Sequence, residues 1–476
     1  MNKKESSTPQ TSRRDFLGKA MGTVTSASLL GTGISAKPSM TATAASASRV
    51  LGANDRINLA FIGCGMQFYG LLQRAFTKRK ETKNDFEFAA LCDVWQPRLD
   101  YAKEQTQGLS TTRDYREVLA RADIDGVVLA VPDQWHFKMA SEACAAGKDV
   151  YLEKPMTYTI EEAAKLTDIV KDTGRVLQVG GSGPAEKLNW KIFEYTRSGK
   201  MGKILWGLIS YNRNTREGMW DYPIPGVGSR HWPDAEVSEA NLDWEMWLGP
   251  APKRPFSPER YFRWRKYWDY SGGNATDLLY HRLGTMSSMI GFDFPTRATG
   301  AGGIYVQKNR EVPDVYMTQV EYPGDYSINM ISCMANDTSA PLTVYGNWAT
   351  LEVLRTSAPV GDAMGDQTRG PRRRSRQYAS IKAQRQFEEE FKAANGGKTE
   401  VTIESEESKD LADDWLDCMR TREKPVYDVL KGYQVMVAIK LGVDSYRNGR
   451  VMGFDPVTRQ IVDALPNRQI YLPPGA

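Results

Sequence analysis

Apolar and polar positions follow two regimes along the chain. Up to about residue 180, short apolar runs alternate with stretches of helical period. Ile57–Ile62 reads as a buried strand. The turn Gly63-Cys64-Gly65-Met66-Gln67-Phe68-Tyr69-Gly70 follows, then a helical stretch to about Lys78. Residues 86–91 form a second predicted strand, ending in Cys92-Asp93. The alternation continues with a helix over 114–121, a strand over 126–131, a helix over 135–146, a strand over 149–152, an amphipathic helix over 160–173 and a strand over 176–179. Such alternation predicts a Rossmann-like, doubly wound parallel sheet with its ligand at the carboxyl ends of the strands.

Past about residue 182 the regular helices drop out. Predicted strands at 204–211, 301–307, 316–322, 326–334 and 342–345 follow one another closely, as antiparallel strands do. The expected fold is α/β followed by α+β. A dinucleotide-binding domain spans 52–182, and a second domain with mostly antiparallel strands spans 183–476.

Composition permits this picture and removes others. Apolar residues make up 41% and charged residues 25% of 476, enough to fill a sizeable core. No apolar run is long enough to span a membrane. The net charge is +4, and residues 1–47 hold all of it, with six basic against two acidic side chains. The remainder is balanced, so no nucleic-acid footprint is expected. Arg372-Arg373-Arg374-Ser375-Arg376 precedes Glu388-Glu389-Glu390 and reads as a solvated loop.

Residues 1–47 resemble a Tat export signal. Arg13-Arg14 precede a weakly apolar stretch from Met21 to Ala36, then the small triplets Ala42-Thr43-Ala44 and Ala45-Ser46-Ala47. The plain alternative is a tail with a chance arginine pair. A Tat signal implies engagement of the Tat machinery, a periplasmic or extracytoplasmic destination and export already folded, which suits a protein loaded with its cofactor in the cytoplasm. Five cysteines with no Cys-x-x-Cys pair and three histidines predict free buried thiols and no metal site.

The glycine turn carries candidate chemistry. Gly63 permits the tight turn, and Gly65 lets backbone approach a pyrophosphate at the helix N-terminus. Asp93 is placed to accept from ribose hydroxyls, which favours NAD over NADP. The strict fingerprint wants a third glycine where the chain has Phe68.

Four further segments carry a resemblance. They are Glu153-Lys154-Pro155 after a strand, Val131-Pro132-Asp133-Gln134-Trp135-His136, the run from Gly272-Gly273 through Asp277 to His281, and Trp415-Leu416-Asp417-Cys418-Met419-Arg420. Together with the glycine turn they resemble the Gfo/Idh/MocA oxidoreductases. The resemblance implies a nicotinamide cofactor held by Gly63, Cys64, Gly65, Met66, Gln67, Asp93, Val131, Pro132, Trp135, His136, Glu153, Lys154 and Pro155. It implies His281 as general base, Asp277 orienting the substrate hydroxyl, and Lys154 polarising the reacting oxygen. It also implies that residues 183–476 carry a large, mostly antiparallel open sheet for substrate binding and oligomerisation, a homo-oligomer formed through the open sheet face, and a peptide before Pro155 that is often cis.

Asp277 and His281 are four apart, so in a helix over 274–290 both project from one face. Imidazole is suited to taking a hydroxyl proton as hydride leaves carbon. A nearby Lys154 ammonium would lower the pKa of the His281 imidazolium. Without the motif context, the pair could be a surface i,i+4 contact, Lys154 a solvated lysine and His136 a core histidine. Tyr280 and Arg282-Leu283 depart from the family pattern and leave the substrate open. Seven of twelve tryptophans fall in 206–268. Most should be core, and Trp268, nearest the Asp277 helix in sequence, is a candidate substrate contact along with Tyr280.

The function this predicts is an exported NAD(P)-dependent oxidoreductase acting on a sugar, polyol or glycoside hydroxyl with a tightly bound cofactor. The alternative is a redox-neutral glycosidase or lyase that oxidises the hydroxyl only transiently.

Overall fold

A computed structural model of the chain describes residues 56–181, 183–224, 235–355 and 377–464. The leader at 1–47, Trp232 and the basic run at 372–376 lie outside the described residues.

Six parallel strands form the first sheet: β1 (Ile57–Ile62), β2 (Phe86–Cys92), β3 (Ser110–Thr112), β4 (Gly126–Leu129), β5 (Asp149–Leu152) and β6 (Leu177–Val179). Their order is β3-β2-β1-β4-β5-β6, so the strand order reverses between β1 and β4. β4 and β5 are buried along their whole length because helices cover both faces of the sheet. The helix Ile160–Thr173 starts and stops by local rules. Thr159 and Glu162 form a capping box, and Gly174 closes the helix in the left-handed region.

A ten-stranded sheet follows, and only one of its pairings is parallel, that of Tyr326–Cys333 with Ile204–Ser210. The strand expected over 301–307 lies instead at Arg297–Gly303. Its glycines serve close packing. A Cβ on Gly300 would stand 2.3 Å from the Gly442 carbonyl oxygen of the helix Val429–Asn448. The strands Ala349–Arg355, Gln377–Ala383, Glu400–Glu404, Met452–Asp455 and Gln460–Asp463 were not expected. Glu400–Glu404 does alternate, with Val401 and Ile403 between polar residues, but it is five residues long, mostly exposed and at the edge of the sheet.

The chain then returns to the first sheet. Trp415, in the helix Leu411–Thr421, packs edge-on against Tyr151 of β5, with ring centroids 5.8 Å apart. Fully buried Arg79 pairs with Asp85 at 2.5 Å and with Asp417 of that helix at 2.8 Å. Val179 of β6 donates to the Tyr427 carbonyl. The two sheets are thereby held as one body, which fixes the carboxyl ends of β1–β6 against the helix that follows Gly272-Gly273.

Candidate active site

The turn after β1 is forced by sterics. Gly63 has φ +94°, and a Cβ there would sit 2.4 Å from the Ala130 carbonyl oxygen. Gly65 differs: its missing Cβ faces open space, with only the Arg98 guanidinium at 3.9 Å. Gly63 therefore shapes the turn, while Gly65 leaves room for a ligand above it. The helix that follows runs through Met66–Leu71, a wider π segment Leu72–Phe76 and Thr77–Thr82. Phe68, at the missing third glycine, is fully buried and packs edge-on against Phe61 of β1 at 4.8 Å. An aromatic ring thus takes the place of close helix–strand contact.

Asp93 ties the turn to β2. Its Oδ2 accepts from Cys64 N at 2.9 Å and from Arg98 at 3.4 Å. Its Oδ1 accepts from Trp95 N at 3.0 Å and from the Tyr261 hydroxyl at 3.3 Å. Arg98 also donates to the Tyr261 hydroxyl at 2.8 Å and lies over the rings of Trp95, Tyr261 and Phe262. Tyr261 and Phe262 come from the short helix Pro258–Phe262, a segment of the second half of the chain folded over the end of β2. The two side-chain contacts, at 3.3 and 3.4 Å, are the longest of the four. They are the ones a ribose hydroxyl would displace at least cost.

At the end of β5, Lys154 reaches across to the second half of the chain. Its Nζ donates to Asp277 Oδ1 at 2.7 Å and to the Asp277 carbonyl at 3.0 Å. The Lys154–Pro155 peptide is cis. Asp277 also accepts from Arg265 Nε at 3.0 Å and from Trp220 Nε1 at 3.3 Å. Burial alone would raise this carboxyl, but the Lys154 and Arg265 charges outweigh it and hold its pKa well below the usual carboxylate range. Asp277 sits in a π segment, Ala275–Leu279, and His281 in the helix Tyr280–Ile290 that continues it. π segments of this kind recur at functional sites.

His281 Nδ1 is buried and has no hydrogen-bond partner. Burial first, then the Lys154 charge, lower its pKa to about 3, so the imidazole is neutral at neutral pH. Asp133, the residue after Pro132, moves the other way. It is buried, accepts from Thr276 Oγ1 at 3.3 Å, and is raised by burial to about 7 despite the Arg265 and Lys154 charges. His136 is a bracket. Its ring nitrogens meet the Pro155 and Val131 carbonyls, and burial lowers its pKa to about 4. A neutral ring donates to one of these carbonyls at a time and so joins the loops after β4 and β5.

A cavity of about 160 Å³ runs along the strand ends. Of the residues expected to hold a cofactor, Gly63, Gly65, Met66, Gln67, Asp93, Val131, Pro132, Trp135, Glu153 and Lys154 line it. Cys64, His136 and Pro155 do not: the Cys64 side chain is fully buried behind the turn, and the other two form the bracket. Gln67 reaches Glu153 Oε1 at 2.9 Å and links the turn to the Lys154 loop. Tyr280 is fully buried, with its hydroxyl donating to the Gly432 carbonyl. The Trp268 ring lies against Tyr446 and Arg447. Neither residue lines the cavity. The sequence reading missed Arg98, Asp133, Trp220, Tyr261 and Arg265. Only Asp133 had a local signal, its place between Pro132 and Trp135; the others arrive from distant loops.

The donors present fit a dinucleotide. The turn leaves open space over Gly65, the cavity is largely apolar, and a carboxylate stands at the end of β2.

Comparison with known proteins adds to this geometry. Residues 57–181 match a family model described as an oxidoreductase family, NAD-binding Rossmann fold. Residues 198–315 match the corresponding C-terminal alpha/beta domain. A Shewanella sp. (strain ANA-3) protein named glycosyl hydrolase family 109 protein 2 is 31% identical over 176 residues, which is 34% of this chain and 38% of that protein. The match thus spans well under half of that relative's length. Among solved structures, an aldose-aldose oxidoreductase from Caulobacter crescentus complexed with glycerol aligns with TM-score 0.56 and 17% identity, over 84% of this chain and 100% of that one. The WlbA dehydrogenase from Bordetella pertussis, in complex with NADH and UDP-GlcNAcA, aligns with TM-score 0.56 and 15% identity, over 84% of this chain and 99% of that one. At these identities the two structures establish the shared fold.

Proposed function

Since the chain belongs to the Gfo/Idh/MocA family of oxidoreductases, we propose that it transfers hydride between a nicotinamide cofactor and a hydroxyl-bearing carbon of a sugar, polyol or glycoside. One observation carries the reading. An ammonium from the end of β5 and a carboxylate from the second half of the chain meet at 2.7 Å, four residues before an imidazole with an unpartnered nitrogen.

Bound nicotinamide supplies the hydride acceptor. Gly63, Gly65, Met66, Gln67 and Asp93 would hold the nucleotide end, and Val131, Pro132, Glu153 and Lys154 would border the reacting end. His281 stays neutral, the form that accepts the hydroxyl proton. Burial and the Lys154 charge keep it in that form at neutral pH. Lys154, paired with Asp277 and not free in solvent, presents a fixed positive charge to the developing carbonyl oxygen. Asp277 holds Lys154 and Arg265 in place and offers its carboxylate to the substrate hydroxyl.

A second reading has its own support, the 31% identity to a protein named as a glycosyl hydrolase. The first half-reaction is then the same, but the hydride returns to the sugar after an elimination. One experiment divides the two. The purified protein is mixed with candidate sugars and aryl glycosides while reduced-nicotinamide absorbance and aglycone release are followed together. Lasting reduction supports the oxidoreductase. Aglycone release without net reduction replaces it with the redox-neutral route.

The twin-arginine sequence at 13–14 supports a working enzyme outside the cytoplasm; free NAD would be scarce there, so the cofactor would stay bound and be recycled within the catalytic cycle. Replacing Arg13 and Arg14 by lysine should block export of a fused reporter; undiminished export would remove the leader from the argument. The working enzyme is also proposed to be a homo-oligomer through the open face of the ten-stranded sheet, which sedimentation checks.

A further inference from the structure

Beside His281 lies a group of arginines that the reaction above does not use. Tyr211, just after the strand Ile204–Ser210, has its ring centroid 6.4 Å from that of His281. The guanidiniums of Arg213 and Arg282 both lie over the Tyr211 ring at 4.8 Å. Arg213 donates to the Tyr211 hydroxyl at 2.6 Å. The Nε atoms of Arg213 and Arg282 are buried and have no hydrogen-bond partner.

Among the described residues, no Asp or Glu is within ion-pair distance of Arg213, Arg282 or Arg355, although Arg213 is near enough to help lower the Asp277 pKa. The amide oxygen of Gln377 accepts from Arg355, at 3.2 Å from Nε. Burial, Arg355 and Arg213 together push the Arg282 pKa down, which no nearby carboxylate offsets. The contrast with the catalytic cluster is plain: Lys154 and Arg265 share Asp277. Half-buried guanidiniums left unpaired are costly, and their planar forks match a carboxylate or sulfate ester in two-point fashion. None of the three arginines lines the cavity running from Gly63 to Lys154. An anion held by them therefore belongs to the substrate and not to the pyrophosphate of the cofactor.

We propose that Arg213 and Arg282, with Arg355 at their outer edge, form an anion subsite next to His281, and that the substrate is a sugar or glycoside bearing a negatively charged substituent. This rests on His281 standing at the reacting carbon. The subsite then selects substrates by charge, since a neutral sugar would leave the arginines unpaired.

The test uses three probes that differ at one position: a methyl hexoside, the matching methyl hexuronide and the hexoside 6-sulfate. Binding is measured by calorimetry on the full protein with NAD present, and turnover by nicotinamide absorbance and product analysis. One of the charged probes should bind at least ~10-fold tighter than the neutral one, with affinity falling as salt rises. Arg213→Gln and Arg282→Gln should each lower the charged-to-neutral affinity ratio by about 10- to 100-fold, and Arg282→Lys should restore part of it. The carboxylate and sulfate arms identify which anion is recognised. Equal binding of charged and neutral probes, or a ratio unmoved by both Gln variants, overturns the proposal. If charged probes bind preferentially but none is turned over, the subsite stands and the reaction reading fails instead.

Discussion

Asp277→Asn keeps the shape of the side chain and one oxygen but removes the charge on which three donors converge. Lys154 Nζ stands 2.7 Å and Arg265 Nε 3.0 Å from the same carboxylate oxygen, and Trp220 binds the other. At an effective dielectric constant near 20, each cation–carboxylate contact is worth about 5–6 kcal/mol of gross attraction. Desolvation of the three ions cancels much of that. Removing one partner of a buried pair has a net cost of roughly 3–5 kcal/mol. Lys154 and Arg265 keep 11% and 24% of their side-chain exposure, so water compensates in part and the lower end, ~3 kcal/mol, is expected. In a chain of this size that is a fall of roughly 3 °C in melting temperature. The assay is thermal and urea unfolding at neutral pH and low salt, run as a cycle with Lys154→Met. In the Asp277→Asn background, Lys154→Met should be neutral or stabilising, because it removes a cation already left unpaired. A coupling of ~2 kcal/mol or more is expected. Additivity within ~0.5 kcal/mol would refute the view that this carboxylate organises the site.

Four other expectations are as direct. Gly63→Ala should cost at least ~2 kcal/mol, because it combines a strained φ with a 2.4 Å approach to the Ala130 carbonyl. Gly65→Ala meets open space and should leave the melt within ~1 kcal/mol of the parent while weakening nucleotide binding, as read by calorimetry. His281→Gln should lower kcat about 10²- to 10⁴-fold with nucleotide affinity nearly unchanged, and equal losses in both would assign His281 to cofactor binding instead. Asp133 holds a proton up to about pH 7 in the folded protein but loses it near 4 when unfolded. Its contribution to stability therefore falls as pH rises from about 4 to 7. Asp133→Asn should remove that slope, and an unchanged stability profile between those values would show Asp133 ionised throughout.

Part of this site was legible because its determinants are local. The apolar run ending at Ile62, the glycine that must take φ +94° and the acidic end of β2 lie within one βαβ unit. The helix Ile160–Thr173 carries its own start and stop signals. Other parts were illegible for stated reasons. The strand Arg297–Gly303 starts four residues before the expected 301–307, with glycines that pack against a helix some 140 residues away, at Gly442. The clustered tryptophans invited a substrate role for Trp268, yet its ring answers to Tyr446 and Arg447. Arg265 and Trp220 reach Asp277 from irregular segments that carry no motif.

By itself, then, the sequence determined the order of the elements, the glycine that shapes the turn, and the four-residue spacing that sets a carboxylate and an imidazole on one helix. Tertiary structure alone decided which cations neutralise Asp277, that Asp133 is pushed towards neutrality while Asp277 is held ionised, and that the Nε atoms of Arg213 and Arg282 are buried without a hydrogen-bond partner among the described residues. The physical reason is that charge coupling and desolvation depend on distance and burial in space, which no spacing along the chain encodes.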